Sequence, residues 1–409
     1  MWQIVAILCA SGPVPADAPD VTLAALVAAS LEGRPELAEI ASQTRAARER
    51  VPQVSAFPDP MVQVGVQNDS FTKWQVGSMQ TSWVSFMASQ TFLFPGKRSL
   101  REAVAQRDVE LTVLSAERVR LSTIAEVRRQ YLALQLVRAQ QGLLEQRLAL
   151  VTRLVDVARL RLQSGEASQA DVLRAQVELA RTKQRQVLLA RDAAMATQAL
   201  NRLSGKPLDG EVQASPLPAM PEPLREAEVL AFTLEHSPEV LSAKARGAQA
   251  SGARELSRRA ALPDLTVSAG VMVRGPLEPM WTLSVGVPVP VFSAGREARS
   301  GDEASALGAA AAHSVEALAQ GLTLATHQRA VSLEALRAVA DSFANGLLAS
   351  SAAAAESTLN SYSAGRAGFS AVLEASAESL SEREAELDVR AQAWRLVIDQ
   401  DSLLAEVTP

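Results

Sequence analysis

From Leu265 to Val273 every odd position is apolar (Leu265, Val267, Ala269, Val271, Val273), while Thr266, Ser268 and Gly270 sit between. Trp281–Val289 repeats the rhythm, with Trp281, Leu283, Val285, Val287 and Val289 around Thr282, Ser284 and Gly286. In the first half Val62, Val64 and Val66 alternate with Gln63, Gly65 and Gln67, and a less regular stretch follows from Thr81 to Phe94. A period of two marks a strand with one apolar and one small-polar face. Strands are therefore expected at about 59–67, 81–94, 265–273 and 281–292. Elsewhere the apolar positions step by three and four. Ile124, Val127, Tyr131 and Leu134, then Leu148, Val151, Val155, Ala158 and Leu162, form a coiled-coil seam interrupted by Arg138 and Gln141. Lys97–Gln163 and Arg296–Tyr362 are each 67 residues without Pro. At 1.5 Å per residue an unbroken helix of that length runs roughly 100 Å. Gly165 and Gly365 follow the two stretches as left-handed caps would. Ser168 ahead of Gln169-Ala170-Asp171 is an N-cap signal for a returning helix.

The chain is written twice. Arg34-Pro35-Glu36-Leu37 returns as Ser237-Pro238-Glu239-Val240, Phe57-Pro58-Asp59 as Leu262-Pro263-Asp264, and Phe94-Pro95-Gly96-Lys97 as Phe292-Ser293-Ala294-Gly295-Arg296. Gln163-Ser164-Gly165 with Ala170-Asp171-Val172-Leu173 returns as Ser363-Ala364-Gly365 with Ala371-Val372-Leu373. Each half reads as short helix, strand pair and long helical hairpin. The expected divisions are a signal segment at 1–16, a first repeat at 17–204 with its hairpin at 97–204, a linker at 205–225 and a second repeat at 226–409 with its hairpin at 296–405. Five prolines between Gly205 and Pro223 exclude regular helix from the linker.

Charge sharpens the picture. Met61–Gln67, Thr81–Phe94, Leu265–Val273 and Trp281–Phe292 hold 42 residues without one Asp, Glu, Lys or Arg, in a chain that is 21% charged. A lipid-facing barrel strand must avoid charge, whereas a sheet buried on both faces has no reason to keep Ser, Thr, Gln and Gly at every second position. Four strands cannot enclose water, and open edges are forbidden in lipid. Several chains must therefore pool strands; three would make twelve, a mainly helical protein with a small membrane β part. No stretch of roughly 18 apolar residues offers a spanning helix. The net charge of −5 argues against nucleic acid. Three His and one Cys leave too few ligands for a His/Cys metal cluster. No phosphate-binding loop, Gly-x-Ser-x-Gly elbow or His-Glu-x-x-His motif is present, so neither a catalytic residue nor a cofactor is expected. Met1–Ala10 is apolar and precedes small residues up to Ala16, the pattern of an export signal lacking its basic start. Cys9 leaves a lipid anchor open.

Ser89–Arg98 (SQTFLFPGKR), Val287–Arg296 (VPVPVFSAGR) and Tyr362-Ser363-Ala364-Gly365 with Val372-Leu373-Glu374 resemble the outer membrane efflux protein family, the TolC-like outer-membrane factors. The resemblance spans about Leu31 to Leu404, and the Phe-Pro-Asp-Pro and Leu-Pro-Asp-Leu segments look like its heavy-metal-efflux branch. It implies a homotrimer with a twelve-stranded barrel in outer-membrane lipid and a periplasmic α-helical barrel. Such a protein is a passive exit duct for tripartite efflux or type I secretion, partnered by a periplasmic adaptor and an inner-membrane pump. Under that reading the tips Ser164, Gly165, Ser168, Tyr362, Gly365 and Arg366 meet the adaptor. Glu374 matches an acidic position of the family motif; the acid expected three residues earlier is Ala371, and Asp171 holds the corresponding place in the first half. Both are candidate pore acids. The alternative is a soluble or envelope-associated coiled-coil scaffold without a pore.

Overall fold

The computed structural model describes residues 21–289 and 293–403. The signal segment, Cys9 and the last residues expected in the fourth strand lie outside them. Two compact units emerge, and each draws on both halves of the sequence.

One unit comprises Ala38–Glu117 and Pro238–Gln320. It holds helix α2 (Pro35–Ser55) from Ala38 on, strands β1 (Met61–Gln67) and β2 (Trp83–Phe92), and the start of α3 (Lys97–Gln163). The second half contributes α6 (Pro238–Ala260), β3 (Leu265–Arg274), β4 (Leu277–Gly286) and the start of α7 (Ser293–Ser342). The strands form one antiparallel sheet in the order β1-β2-β3-β4. Val64, Phe86, Val271 and Trp281 stand in one cross-strand row, and Val62, Ala88, Ala269 and Leu283 in the next. The reverse face carries Gln63, Gly65, Ser85, Ser89, Ser268, Gly270, Thr282 and Ser284, together with Met61, Met87, Met272 and Met280. The apolar row is open: Val64 is 62%, Phe86 51%, Val271 46% and Trp281 79% exposed. A sheet meant for the inside of a lone soluble chain would have covered these side chains.

Three strand boundaries differ from the alternation. β1 begins at Met61 because Pro58 and Pro60 cannot donate to a ladder. β2 is trimmed to Trp83–Phe92, its flanks being taken by loop and by the Phe94-Pro95-Gly96 turn. β4 is shifted towards the hairpin, starting at Leu277 and ending at Gly286 rather than starting at Trp281. The tight turn at Gly275 (φ +63°) lets pairing begin sooner, while Pro288 ends the ladder beyond it.

The sheet is fastened to its helices by contacts both within and across the two halves. Lys97 Nζ donates to Asp264 Oδ1 at 2.8 Å and to the Leu262 carbonyl at 2.6 Å, and the Phe94 N–H donates to the same Asp264 oxygen at 2.8 Å. Arg98 Nε donates to the Ser55 carbonyl at 2.7 Å, its guanidinium lying 3.7 Å above the Phe57 ring. Gly96 has φ +87°, and a Cβ there would collide with Arg259, whose Nη1 donates to the Pro95 carbonyl. The positive φ is what favours glycine there.

The second unit comprises residues 21–37, Arg118–Ser237 and residues 321–403. It contains α1 (Val21–Gly33), the rest of α3, α4 (Gln169–Leu203), α5 (Glu226–His236), the end of α7, a π-helical segment Phe343–Leu347, α8 (Leu348–Ser363) and α9 (Phe369–Asp401). Val127, Tyr131 and Leu134 of α3 pack on Ala193, Ala196 and Leu200 of α4 and on Leu26 of α1. Ala125, Leu132 and Leu136 meet Ala391 and Ile398 of α9. The stretch from Arg296 to Tyr362 is not one regular helix. Gly346 sits at φ +134° inside the π segment, a conformation closed to side-chain-bearing residues. The proline-rich stretch after α4 runs as an extended strap. Its carbonyls accept from side chains, because a strap lying on helices has no strand to pair with. Gln135 donates to the Pro216 carbonyl at 3.3 Å, Arg390 to the Leu217 carbonyl at 2.6 Å and Trp394 to the Ala219 carbonyl at 2.7 Å.

Burial raises the Asp264 pKa, but Lys97 and the Phe94 N–H outweigh it and hold the carboxyl below its ordinary 3.8. A lowered carboxyl stabilises the fold above that value, and the contribution is lost as pH falls through the folded pKa. Asp264→Asn should therefore lower stability near neutrality by about 1.5–3 kcal/mol, the range for hydrogen bonds to charged groups. It should also remove part of the acid-induced loss below about pH 4; thermal midpoints followed by circular dichroism across pH check both.

Candidate functional site

Two places carry the chemistry the sequence points to: the open sheet, and the paired turns where the helical hairpins end. α3 stops at Gly165, whose φ of +77° closes a left-handed cap. The Gly165 N–H bonds to the Leu162 carbonyl at 3.1 Å and the Glu166 N–H to the Arg161 carbonyl at 2.8 Å. α8 stops the same way at Gly365 (φ +72°), with Gly365 N–H on the Tyr362 carbonyl at 2.9 Å and Arg366 N–H on the Ser361 carbonyl at 2.8 Å. The duplication is thus visible bond by bond.

The returning helices differ. Ser168 caps α4 in a full capping box: its Oγ accepts from the Asp171 N–H at 3.2 Å, and the Asp171 carboxylate accepts from the Ser168 N–H at 3.1 Å. Asp171 is half-buried and engaged at the cap, whereas Glu374 is exposed on α9 and makes no hydrogen bond or ion pair among the described residues. The box has no counterpart at α9, where Gly368 is the N-cap and Ala371 the third residue.

The second hairpin compensates with aromatic packing. Tyr362 meets Phe369 edge-on at 5.7 Å between ring centroids, and both join Leu154, Val155, Ala158, Val172, Ala175 and Val372 in one core. Tyr362 is 4% exposed, so it props the turn from inside and its ring offers no outer contact surface. Its hydroxyl is buried with no hydrogen-bond partner. Burial pushes the phenol above its ordinary pKa; Arg161 opposes the shift and Asp171 adds to it. Ser164, Gly165, Ser168, Gly365 and Arg366 are exposed. Sequence reasoning missed Arg161. Its Nη1 donates to the Tyr362 carbonyl at 2.5 Å and its guanidinium lies 4.7 Å from the Tyr362 ring, tying the two turns together. The signal was present: an arginine in a helix's last turn, where free carbonyls favour a cation.

No group of three or more His, Cys, Asp or Glu side chains is placed to hold a metal among the described residues. No described helix is long and apolar enough to cross a membrane.

Residues 26–206 match the model of the outer membrane efflux protein family. A comparison with curated protein sequences returned no match. Among solved structures, the outer-membrane channel OprN superposes with a TM-score of 0.78 at 20% identity, covering 94% of this chain and 90% of that one. The outer membrane protein VceC of Vibrio cholerae gives 0.78 at 17% identity, covering 95% and 97%. The outer membrane channel MtrE of Neisseria gonorrhoeae, solved in its open state, gives 0.75 at 19% identity, covering 94% and 89%. The fold is that of these outer-membrane channels, and over residues 26–206 the chain is similar to the outer membrane efflux protein family. The exposed apolar face of the sheet does not favour a soluble coiled-coil scaffold. CusC gives 0.75, so near-equal scores across these channels single out no branch.

Asp171→Ala should cost about 0.5–2 kcal/mol through loss of the capping box, while Glu374→Ala should leave thermal stability unchanged. Gly165→Val should cost more than Gly165→Asn, because a left-handed conformation penalises a branched side chain by roughly 1–2 kcal/mol. Unfolding midpoints of the purified variants, ranked in that order, check the assignment of each turn.

Proposed function

We propose that three copies of this chain pool their sheets into a closed twelve-stranded wall and act as a passive duct. A periplasmic adaptor and an inner-membrane pump would engage it through the helical tips. The observation that carries the reading is the open sheet. β1 and β4 each have a single neighbour, so each offers a row of unpaired N–H and C=O groups, while the apolar face fits lipid. In hydrocarbon each unpaired group costs several kcal/mol, and pairing β4 of one copy with β1 of the next removes the edge. The small-polar face then lines water, as a duct for solutes requires.

In the helical unit, Ser164, Gly165, Ser168, Gly365 and Arg366 form the surface offered to the adaptor, with Tyr362 and Arg161 holding the two turns as one body. Glu374 points to solvent, and in a closed ring of copies it would bring like charges together and favour cations. Asp171, held in its cap, serves the turn first.

Purified in detergent, the chain should run as a heat-resistant trimer and open conducting pores in planar bilayers. A monomer that stays in water without detergent would overturn the duct. Replacing Gly165 and Gly365 together with Val should abolish export in cells while trimers still assemble. Glu374→Ala should shift the reversal potential in a salt gradient towards less cation selectivity, and Asp171→Ala should shift it less.

A further inference from the structure

Four of the chain's eight methionines lie in the sheet, and all four occupy the same face. Val, Leu and Phe fill the lipid-compatible face, which holds no Met. The other face has no Val, Leu, Ile or Phe within Met61–Gln67, Trp83–Thr91, Thr266–Met272 or Met280–Gly286. Methionine is therefore selected there among aliphatic side chains, on a wall otherwise built mostly of Ser, Thr, Gln and Gly. Three of the four are neighbours in the register of β2, β3 and β4. Met272 is the direct cross-strand partner of Met280. Met87 pairs with Gly270, two residues along from Met272 on the same face. A Cβ on Gly270 would collide with Met87 Cγ, so the Met87 side chain lies over the space that glycine leaves. Directly opposed residues hold their Cβ atoms about 4.5–5.5 Å apart, and diagonal neighbours stay within reach of long side chains. All three are partly covered rather than splayed into solvent. The nearest charges along the strands are Arg274 and Glu278, each two residues away, and Arg274 donates to the Glu278 carbonyl at 2.6 Å.

We propose that Met87, Met272 and Met280 form a thioether site for a soft monovalent cation, Cu(I) or Ag(I), on the inner wall of the duct. The proposal rests on the reading that this face lines the lumen. Thioether sulfur selects soft cations, and it does so without charge. A neutral ligand set holds its ion loosely enough to let it go, which a conducting path requires. Met also stays free of disulfide chemistry in an oxidising compartment, where a thiol would not.

The test is Ag(I) titration of the full chain in detergent and chloride-free nitrate buffer, read by isothermal calorimetry. Wild type should show a saturable site of one ion per chain. The triple variant Met87→Leu, Met272→Leu, Met280→Leu keeps volume and apolarity and should bind at least tenfold more weakly. Met79→Leu with Met195→Leu should bind as wild type does. Absence of saturable binding by wild type, or unchanged affinity in the triple variant, overturns the site. Should the triple variant fail to assemble, X-ray absorption at the silver edge of the wild-type complex decides: a sulfur shell supports the site, and a shell of only oxygen or nitrogen overturns it. Metal-free bilayer recordings separate the two readings. A wild-type chain that conducts but binds no Ag(I) loses the site and keeps the duct, whereas one that never conducts loses the duct itself.

Discussion

An antiparallel sheet with apolar side chains on one face and two unpaired edges is stable in no solvent by itself. In water its exposed Val, Phe and Trp side chains would aggregate; in lipid its unpaired edges would cost several kcal/mol per group. Everything else in the strand-bearing unit serves the escape from that conflict. The edge strands come from different halves of the chain, and the central pair, β2 with β3, joins the halves. Among the described residues one polypeptide thereby presents two free sheet edges, one from each half. The Lys97–Asp264 pair and the Arg98–Ser55 bond then fix where the sheet departs from its helices.

The helical unit solves a different problem, how to reverse two long helices without leaving carbonyls unpaired. Both turns adopt the same glycine-closed cap, so the backbone solution survived duplication unchanged. The side-chain solutions parted. The first turn spends a carboxylate on its capping box, and the second relies on Tyr362 and Phe369 in a shared core. That divergence leaves Glu374 exposed on α9, whereas Asp171 is engaged in its cap. A second asymmetry is the π segment around Gly346. The first hairpin's outgoing helix, α3, has no equivalent break.

Much of this was readable before any coordinates. The period of two and the absence of charge announced four membrane-compatible strands, because a lipid face tolerates neither charge nor an unmatched pleat. The seam of threes and fours announced the long helices, and Ile124, Val127, Tyr131, Leu134, Val151, Val155 and Ala158 are all buried. Leu162, the last member expected on that seam, is 38% exposed because the helix is ending there. The misplaced edge of β4 shows the limit: alternation continues through Val287 and Val289, but a ladder needs N–H donors that Pro288 cannot supply.

The chain by itself thus determined its periodicities, its duplication, its glycine turns and the surplus of uncharged strand. These are local properties, set by side-chain spacing and by φ angles that one residue type permits. Tertiary structure alone decided which distant residues meet. Lys97 against Asp264, Arg161 against Tyr362, and three methionines on one wall depend on strand register and helix rotation. A one-residue slip in register would move every side chain to the opposite face. Nothing in the local pattern of one strand records the identity of its neighbour, so only the assembled sheet and hairpins could bring those groups together.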